Sequence, residues 1–184
     1  KIDNKKSLIN NIVRGQYEGY KNEIGVRQHT QTETYFRLKT YINNFRWKNI
    51  PFYLESGKAM AESKTEIDIY FKNINKRDRQ KRQNILTFRI QPDEGIKIRF
   101  WVKTPGFEMK VEPKNLKFKY ADSKSFSSIP DAYEKVLYDA IIGDQTLFAS
   151  TDEIMYSWKY ITSIIKNWSS IPLGIYKRNS EEII

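Results

Sequence analysis

The sequence predicts one α+β domain in which a large, mainly antiparallel β-sheet carries helices packed on one face. The 184 residues suit a single domain, spanning 1–184, with a core of its own. Apolar and polar residues alternate through much of the first two thirds, as in half-buried strands, and the last third changes to helical spacing. Strands followed by helices are typical of an α+β domain.

The first predicted strand follows a polar beginning. Residues 1–30 are mostly polar and rich in turn formers, and we interpret them as an entry segment rather than a core element. Residues 34–42 alternate and predict a strand. Helical spacing of Leu38, Ile42 and Phe45 is the competing interpretation, but the β-branched and aromatic content favours the strand.

The next strands follow in quick succession, and a charged connector lies at 73–83. Pro92-Asp93-Glu94-Gly95 separates two alternating runs, which is a strong hairpin signal. Residues 107–120 carry two more short alternating pieces, around Met109 and Leu116. The other predicted strands span 51–55, 65–72, 85–91 and 96–103.

Two helices are predicted in the last third. The first opens at Pro130-Asp131-Ala132-Tyr133, with Pro at its first position, and ends at Gly143. The second begins at the capping box Ser150-Thr151-Asp152-Glu153. Their predicted core-facing stripes are Tyr133, Val136, Leu137, Ala140 and Ile141, and Ile154, Trp158, Ile161, Ile165 and Trp168.

Composition restricts the class of protein without deciding it. The formal charge of +10 suggests an anionic partner, which leaves nucleic acid, a membrane surface and a phosphorylated metabolite open. No apolar run approaches the roughly 20 residues that span a bilayer, and the basic start lacks the apolar stretch of a signal peptide. The absence of cysteine fits a cytoplasmic protein. Because no Met stands first, we expect an excised piece of a longer protein.

The residues themselves predict no catalysis. The single histidine, His29, lies in a predicted loop without a partner that would make it a general base. The Asp93-Glu94 pair is explained by the hairpin turn. The sequence has no metal-ligand spacing, glycine-rich dinucleotide fingerprint or P-loop. This reasoning predicts a sheet domain that binds an anion or a partner, with no catalytic, cofactor-binding or metal-binding residue.

An ordered set of segments across residues 12–176 resembles the C-terminal domain of glucose-6-phosphate dehydrogenases. The most specific segment is Arg89-Ile90-Gln91-Pro92-Asp93-Glu94-Gly95. The other matching segments include Val13-Arg14-Gly15-Gln16-Tyr17, Thr32-Glu33-Thr34-Tyr35, Arg46-Trp47, Ser56-Gly57-Lys58, Lys103-Thr104-Pro105-Gly106 and Gly143-Asp144-Gln145-Thr146-Leu147-Phe148.

The resemblance implies an oxidoreductase of glucose metabolism. Enzymes of this family oxidise glucose 6-phosphate to 6-phosphogluconolactone with NADP or NAD, the first step of the oxidative pentose phosphate pathway. In them an N-terminal dinucleotide-binding domain holds the coenzyme and the histidine base, and its motifs are absent here. The resemblance therefore implies NADP on the missing domain, an inactive chain when alone, and a homodimer or tetramer formed through the sheet.

Three substrate-binding residues follow from the resemblance. Lys58 matches the family's Gly-Lys lysine, which contacts the substrate, and Gln91 matches a substrate-side glutamine of some members. A second basic residue is usual five positions after the lysine, but Ser63 stands there and Lys64 lies one place further. We take Lys64 as the candidate replacement, because a long lysine side chain can reach from the neighbouring position.

Some members of the family carry a second, structural NADP site in this domain. Lys64, Arg89 and Arg99 match part of it, whereas Asp68 and Lys117 stand where an arginine and an aspartate are expected. The resemblance therefore implies no cofactor site in this chain.

Two alternatives to an enzyme part remain at this point. The first is a stand-alone sugar-phosphate-binding or dimerisation module without catalysis. The second is a nucleic-acid-binding protein that uses the basic run at 76–83. We favour a solvated loop for that run, because no aromatic residue is interleaved for stacking on bases.

Overall fold

The structure, a computed structural model, describes residues 11–73, 82–122 and 132–180. These residues form eight β-strands, two α-helices and three short 3-10 helices, which confirms the α+β class. They belong to two compact units, the first within 1–62 and 145–184 and the second within 63–144. The described strands are divided between two four-stranded sheets, one in each unit.

The first unit contains a mixed sheet and one α-helix. Its strands are β1 (Ile12–Tyr17), β2 (Tyr35–Tyr41), β3 (Pro51–Gly57) and β8 (Leu173–Tyr176), in the order β3-β2-β1-β8. β1 pairs antiparallel with β2 and parallel with β8, and β2 pairs antiparallel with β3. The helix, α2, spans Thr151–Ile165. The predicted strands at 34–42 and 51–55 are confirmed.

β1 shows that the interpretation of residues 1–30 as an entry segment is wrong for Ile12–Tyr17. The strand lies inside the sheet, and two of its polar side chains, Arg14 and Gln16, are buried. The Arg14 guanidinium donates to the carbonyl oxygens of Trp168 and Gln31, and Gln16 donates to the Thr32 carbonyl at 2.8 Å. The burial of Arg14 and Gln16 escapes hydropathy reasoning because hydrogen-bond partners, and not apolarity, make it possible.

The capping box at the start of α2 is confirmed. The Glu153 amide donates to the Ser150 hydroxyl at 3.3 Å, and the Ser150 amide donates to the Glu153 carboxylate at 2.7 Å. Of the predicted core-facing stripe only Trp168 packs against the core; the prediction is wrong for the exposed residues Ile154, Trp158, Ile161 and Ile165. Ile164 is the buried residue of the helix, and Tyr160 packs beside it.

Helix α2 packs against the first sheet through one apolar cluster. Ile12, Leu38, Ile164 and Ile171 are buried in it, and Phe36, Tyr160 and Trp168 are partly buried against it. Apolar residues occur on more than one side of α2, so spacing alone does not identify the side that packs. Contact with the sheet selects the side that carries Tyr160 and Ile164.

The second unit contains an antiparallel sheet whose strands follow in chain order. They are β4 (Thr65–Tyr70), β5 (Ile85–Gln91), β6 (Gly95–Lys103) and β7 (Val111–Lys119). The unit also contains helix α1, Ala132–Ile142. The predicted strands at 65–72, 85–91 and 96–103, and the hairpin between the last two, are confirmed.

β7 replaces the two short pieces predicted within 107–120. It is one nine-residue strand paired along its whole length with β6, from Gly95 opposite Lys119 to Lys103 opposite Val111. Pro113 interrupts the alternation, and this explains why the pattern looked divided. Proline is tolerated because β7 is the last strand in the described sheet and its outer side needs no ladder donor.

α1 ends at Gly143 as predicted, with a left-handed φ of 73°. Pro130, Asp131 and most of the basic run at 76–83 lie outside the described residues. The predicted stripe does not form a buried face among the described residues, since Tyr133 is 81% exposed. The buried residue of α1 is instead Asp139, which pairs with Lys135 one turn earlier.

Candidate functional site

Lys58 lies immediately after β3, at the point where the sheet of the first unit ends. Its side chain is exposed, but both of its peptide groups are bound. The Lys58 amide donates to the Thr34 carbonyl at 2.7 Å, and the Lys58 carbonyl accepts from the Tyr176 hydroxyl at 2.7 Å. The chain therefore presents an exposed ammonium from a backbone position that is held by two hydrogen bonds.

A buried aromatic cluster lies beneath Lys58. The rings of Tyr35 and Tyr176 meet edge to face with centroids 5.8 Å apart, and Tyr17 meets Tyr176 at 6.3 Å. Burial, and next the Glu55 carboxylate, raises the pKa of Tyr35 well above its ordinary value. The Tyr35 ring packs against Tyr176 in this cluster.

Gly57 allows the strand end to approach this cluster. A Cβ at position 57 would lie 2.7 Å from the Met60 sulfur and 2.9 Å from the Tyr35 ring. The family's Gly-Lys pair thus has a local physical reason here: the glycine provides close packing, and the lysine that follows provides charge.

Lys64 and Gln91 lie together in the second unit. Gln91 is the last residue of β5 and is paired with Thr65, so Lys64 and Gln91 belong to the same end of the β4–β5 ladder. Lys64 Nζ is 2.7 Å from Glu66 Oε1, and Arg89 Nε is 3.5 Å from Glu66 Oε2. Two basic side chains therefore share one carboxylate close to the exposed Gln91.

The described residues contain no group of three or more His, Cys, Asp or Glu side chains that could hold a metal ion. His29 is exposed in a turn. Asp68, which stands where the family's second NADP site has an arginine, accepts a hydrogen bond from the Thr87 hydroxyl at 2.6 Å. Across 11–73, 82–122 and 132–180, no helix has the length and hydropathy of a membrane span.

Sequence reasoning missed Tyr176 and gave Thr34 no role of its own. Thr34 lies within one of the matching segments, but no signal along the chain links either residue to Lys58. Tyr176 is 118 residues from Lys58, so only the folded sheet reveals the contact.

The fold and these residues define a class: an α+β domain that exposes a lysine at a sheet end where both of its peptide groups are hydrogen-bonded. Residues 1–182 match the family model "Glucose-6-phosphate dehydrogenase, C-terminal domain". The chain belongs to this family, which confirms the resemblance seen in the sequence.

Curated relatives agree with this assignment. The glucose-6-phosphate 1-dehydrogenase of Borreliella burgdorferi is 38% identical over 192 residues, which cover 96% of this chain and 40% of the relative. That of Chlamydia pneumoniae is 42% identical over 175 residues, covering 85% of this chain and 34% of the relative. The chain therefore spans less than half the length of these relatives.

Solved structures show the same fold. Glucose-6-phosphate 1-dehydrogenase from Mycobacterium avium superposes with a TM-score of 0.75 at 28% identity, over 93% of this chain and 36% of that one. A glucose-6-phosphate dehydrogenase in complex with its substrate glucose-6-phosphate superposes with a TM-score of 0.83 at 26% identity, over 98% and 43%.

Proposed function

We propose that the chain acts as the C-terminal substrate-binding and dimerisation part of a cytoplasmic glucose-6-phosphate 1-dehydrogenase. Such an enzyme oxidises D-glucose 6-phosphate to 6-phospho-D-glucono-1,5-lactone with NADP, the coenzyme being held by a separate N-terminal domain. The observation that carries the proposal is Lys58, which follows the family's glycine and is held at both peptide groups.

The proposed contribution of this chain is binding. The Lys58 ammonium supplies a compact positive charge suited to a sugar phosphate. Gln91 supplies an amide that can donate to and accept from sugar hydroxyls. Neither side chain serves as the base or the hydride acceptor, so the oxidation itself depends on groups of the coenzyme-binding domain. NADP supplies the hydride-accepting ring when it is bound there.

The decisive experiment is steady-state kinetics on a subunit that carries this chain as its C-terminal part. Lys58→Ala should raise the KM for glucose 6-phosphate much more than it lowers kcat. Loss of one charge from a desolvated pair costs about 2–4 kcal/mol, which is a roughly 30- to 700-fold loss of kcat/KM. Lys48→Ala removes an exposed lysine of the same unit and is the control.

The outcomes separate the possible roles of Lys58. A loss confined to kcat would mean that the lysine acts in the transition state, and the proposed binding role would be wrong. The 184-residue chain alone should form no NADPH from glucose 6-phosphate and should bind this sugar phosphate weakly. Micromolar affinity of the isolated chain in a calorimetric titration would favour the stand-alone module instead.

The proposed partner is a second copy of the subunit, in a dimer or tetramer formed through the sheet. The outer face of β6 supports this, because Lys97 and Arg99 are exposed on the same side as the half-buried Trp101. Long basic stems and an aromatic ring can pack across a two-fold axis while the charges remain hydrated.

A further inference from the structure

We infer that Tyr176 is a positioning residue for the substrate lysine: its hydroxyl, supported by Thr34, fixes the backbone from which Lys58 projects. The inference rests on the proposed function of Lys58 and extends it to a residue at the other end of the chain. Tyr176 ends β8, whereas Lys58 follows β3, and β2 and β1 lie between these two strands in the sheet.

The contacts form a short chain of hydrogen bonds. The Tyr17 amide donates to the Thr34 hydroxyl at 3.0 Å, and the Thr34 and Tyr176 hydroxyls are 2.9 Å apart. The Tyr176 hydroxyl lies 2.7 Å from the Lys58 carbonyl and 3.1 Å from the Thr34 carbonyl. Only 3% of Tyr176 is exposed, so these contacts are shielded from competing water.

The available protons determine the direction of each hydrogen bond in this series. A carbonyl only accepts, so the 2.7 Å contact with the Lys58 carbonyl, the shortest that the Tyr176 hydroxyl makes, uses its single phenolic proton. The Thr34 hydroxyl must then donate to the phenolic oxygen, while its own oxygen accepts the Tyr17 amide proton. Every hydroxyl both donates and accepts, an arrangement in which neighbouring hydrogen bonds strengthen one another.

The residues after Lys58 are held by the same C-terminal segment. The Asn179 amide donates to the Ala59 carbonyl at 2.8 Å, and Met60 forms a β-bridge with Ser180. Ala59 has a φ of 51°, a left-handed conformation that costs a non-glycine residue about 1–2 kcal/mol. The turn that presents Lys58 is thus locally unfavourable, and contacts with residues 176–180 maintain it.

Tyr176→Phe tests the inference, because it removes one hydroxyl and keeps the ring. In a subunit that carries this chain, the KM for glucose 6-phosphate should rise about fivefold and kcat should change less than about twofold, as expected for one lost hydrogen bond. The matched control is Tyr160→Phe, which removes a half-buried hydroxyl that donates to Thr40 at 2.7 Å in another part of the same unit. It should leave KM unchanged.

A double-mutant cycle separates positioning from general stability. In a Lys58→Ala background, Tyr176→Phe should add no further increase in KM, because the lysine it positions is gone. Additive effects would overturn the inference. An unchanged KM in Tyr176→Phe, with KM raised in Lys58→Ala, would overturn it while leaving the proposed function intact. An unchanged KM in Lys58→Ala would overturn both.

A second pair of variants applies if Tyr176→Phe does not fold. Thr34→Val has the same shape as threonine but cannot donate to the Tyr176 oxygen, so it should also raise KM. Thr34→Ser retains the hydroxyl and should restore KM to near the wild-type value. Equal KM values for Thr34→Val and Thr34→Ser would contradict the inference.

Discussion

Lys64 and Glu66 form an ion pair across one intervening residue, with Lys64 Nζ 2.7 Å from Glu66 Oε1. The other oxygen of this carboxylate, Glu66 Oε2, lies 3.5 Å from Arg89 Nε. Along the sequence, Lys64 directly follows Ser63, which stands where the family usually has its second basic substrate-binding residue. A ligand that recruits this lysine must compete with Glu66.

We therefore predict that Lys64→Ala raises the KM for glucose 6-phosphate about fivefold or less, well below the effect of Lys58→Ala. A partly exposed ion pair is worth about 0.2–1 kcal/mol, and the substrate contact gains little beyond the pair it replaces. Steady-state kinetics of the two variants, measured side by side, check this. Equal effects would show that Lys64 fully replaces the basic residue missing at Ser63.

Gly95 is predicted to be intolerant of a side chain. A Cβ there would collide with the Phe118 carbonyl oxygen and lie 3.3 Å from the Lys119 Cα, both of which are backbone atoms of β7. Gly95→Ala should cost about 3 kcal/mol, the upper end of the cost of overpacking, because a paired strand cannot move away locally. Denaturant unfolding of the 184-residue chain measures this.

Gly25→Ala is the control for that substitution. Gly25 has a φ of +82° and nothing within 4 Å of an added Cβ, so the change should cost only the left-handed conformation, about 1–2 kcal/mol. Equal destabilisation by the two variants would mean that the contact with β7 relaxes.

The capping box of α2 predicts a pH-dependent stability. Hydrogen bonds from the Ser150 amide, and next from its hydroxyl, hold the pKa of Glu153 below its ordinary value of 4.5. Since the folded pKa is the lower one, the stabilisation is present above the unfolded value and is lost as pH falls through the folded pKa. Glu153→Gln should lower Tm near about pH 7, and the difference should shrink as pH falls through the acidic range in which Glu153 becomes protonated. A Tm difference that stays constant over this range would contradict this explanation.

Self-association should be visible in solution. Multi-angle light scattering of the 184-residue chain should show a dimer or larger species, because obligate interfaces of this kind bury about 2,000 Å² or more. Arg99→Glu, on the exposed face of β6, should shift the species towards monomer, and Arg27→Glu, in an exposed loop of the other unit, should not. A clean monomer at high concentration would contradict the proposed partner.

Much of the second unit followed from local pattern. Strands β4, β5 and β6 alternate because successive side chains of a strand point to opposite faces, and the turn at 92–95 has the residues its hairpin requires. The capping box identified the start of α2 for the same kind of reason, since its hydrogen bonds join residues three positions apart. Lys58 was found through the family's segments, and its role in binding the substrate stays a prediction.

The sequence by itself thus determined what depends on near neighbours, namely the α+β class and most strand and helix bounds. The order of its matching segments also identified the family. Only the tertiary structure decided the burial of Arg14 and Gln16 in β1, the side of α2 that packs, and the contact of Tyr176 with Lys58. In each case the deciding partner lies far along the chain: Arg14 meets Trp168 at a separation of 154 residues, and Tyr176 meets Lys58 at 118. Hydrogen bonds and packing between such distant residues leave no periodic signal, because their energy depends on the folded arrangement and not on spacing along the chain.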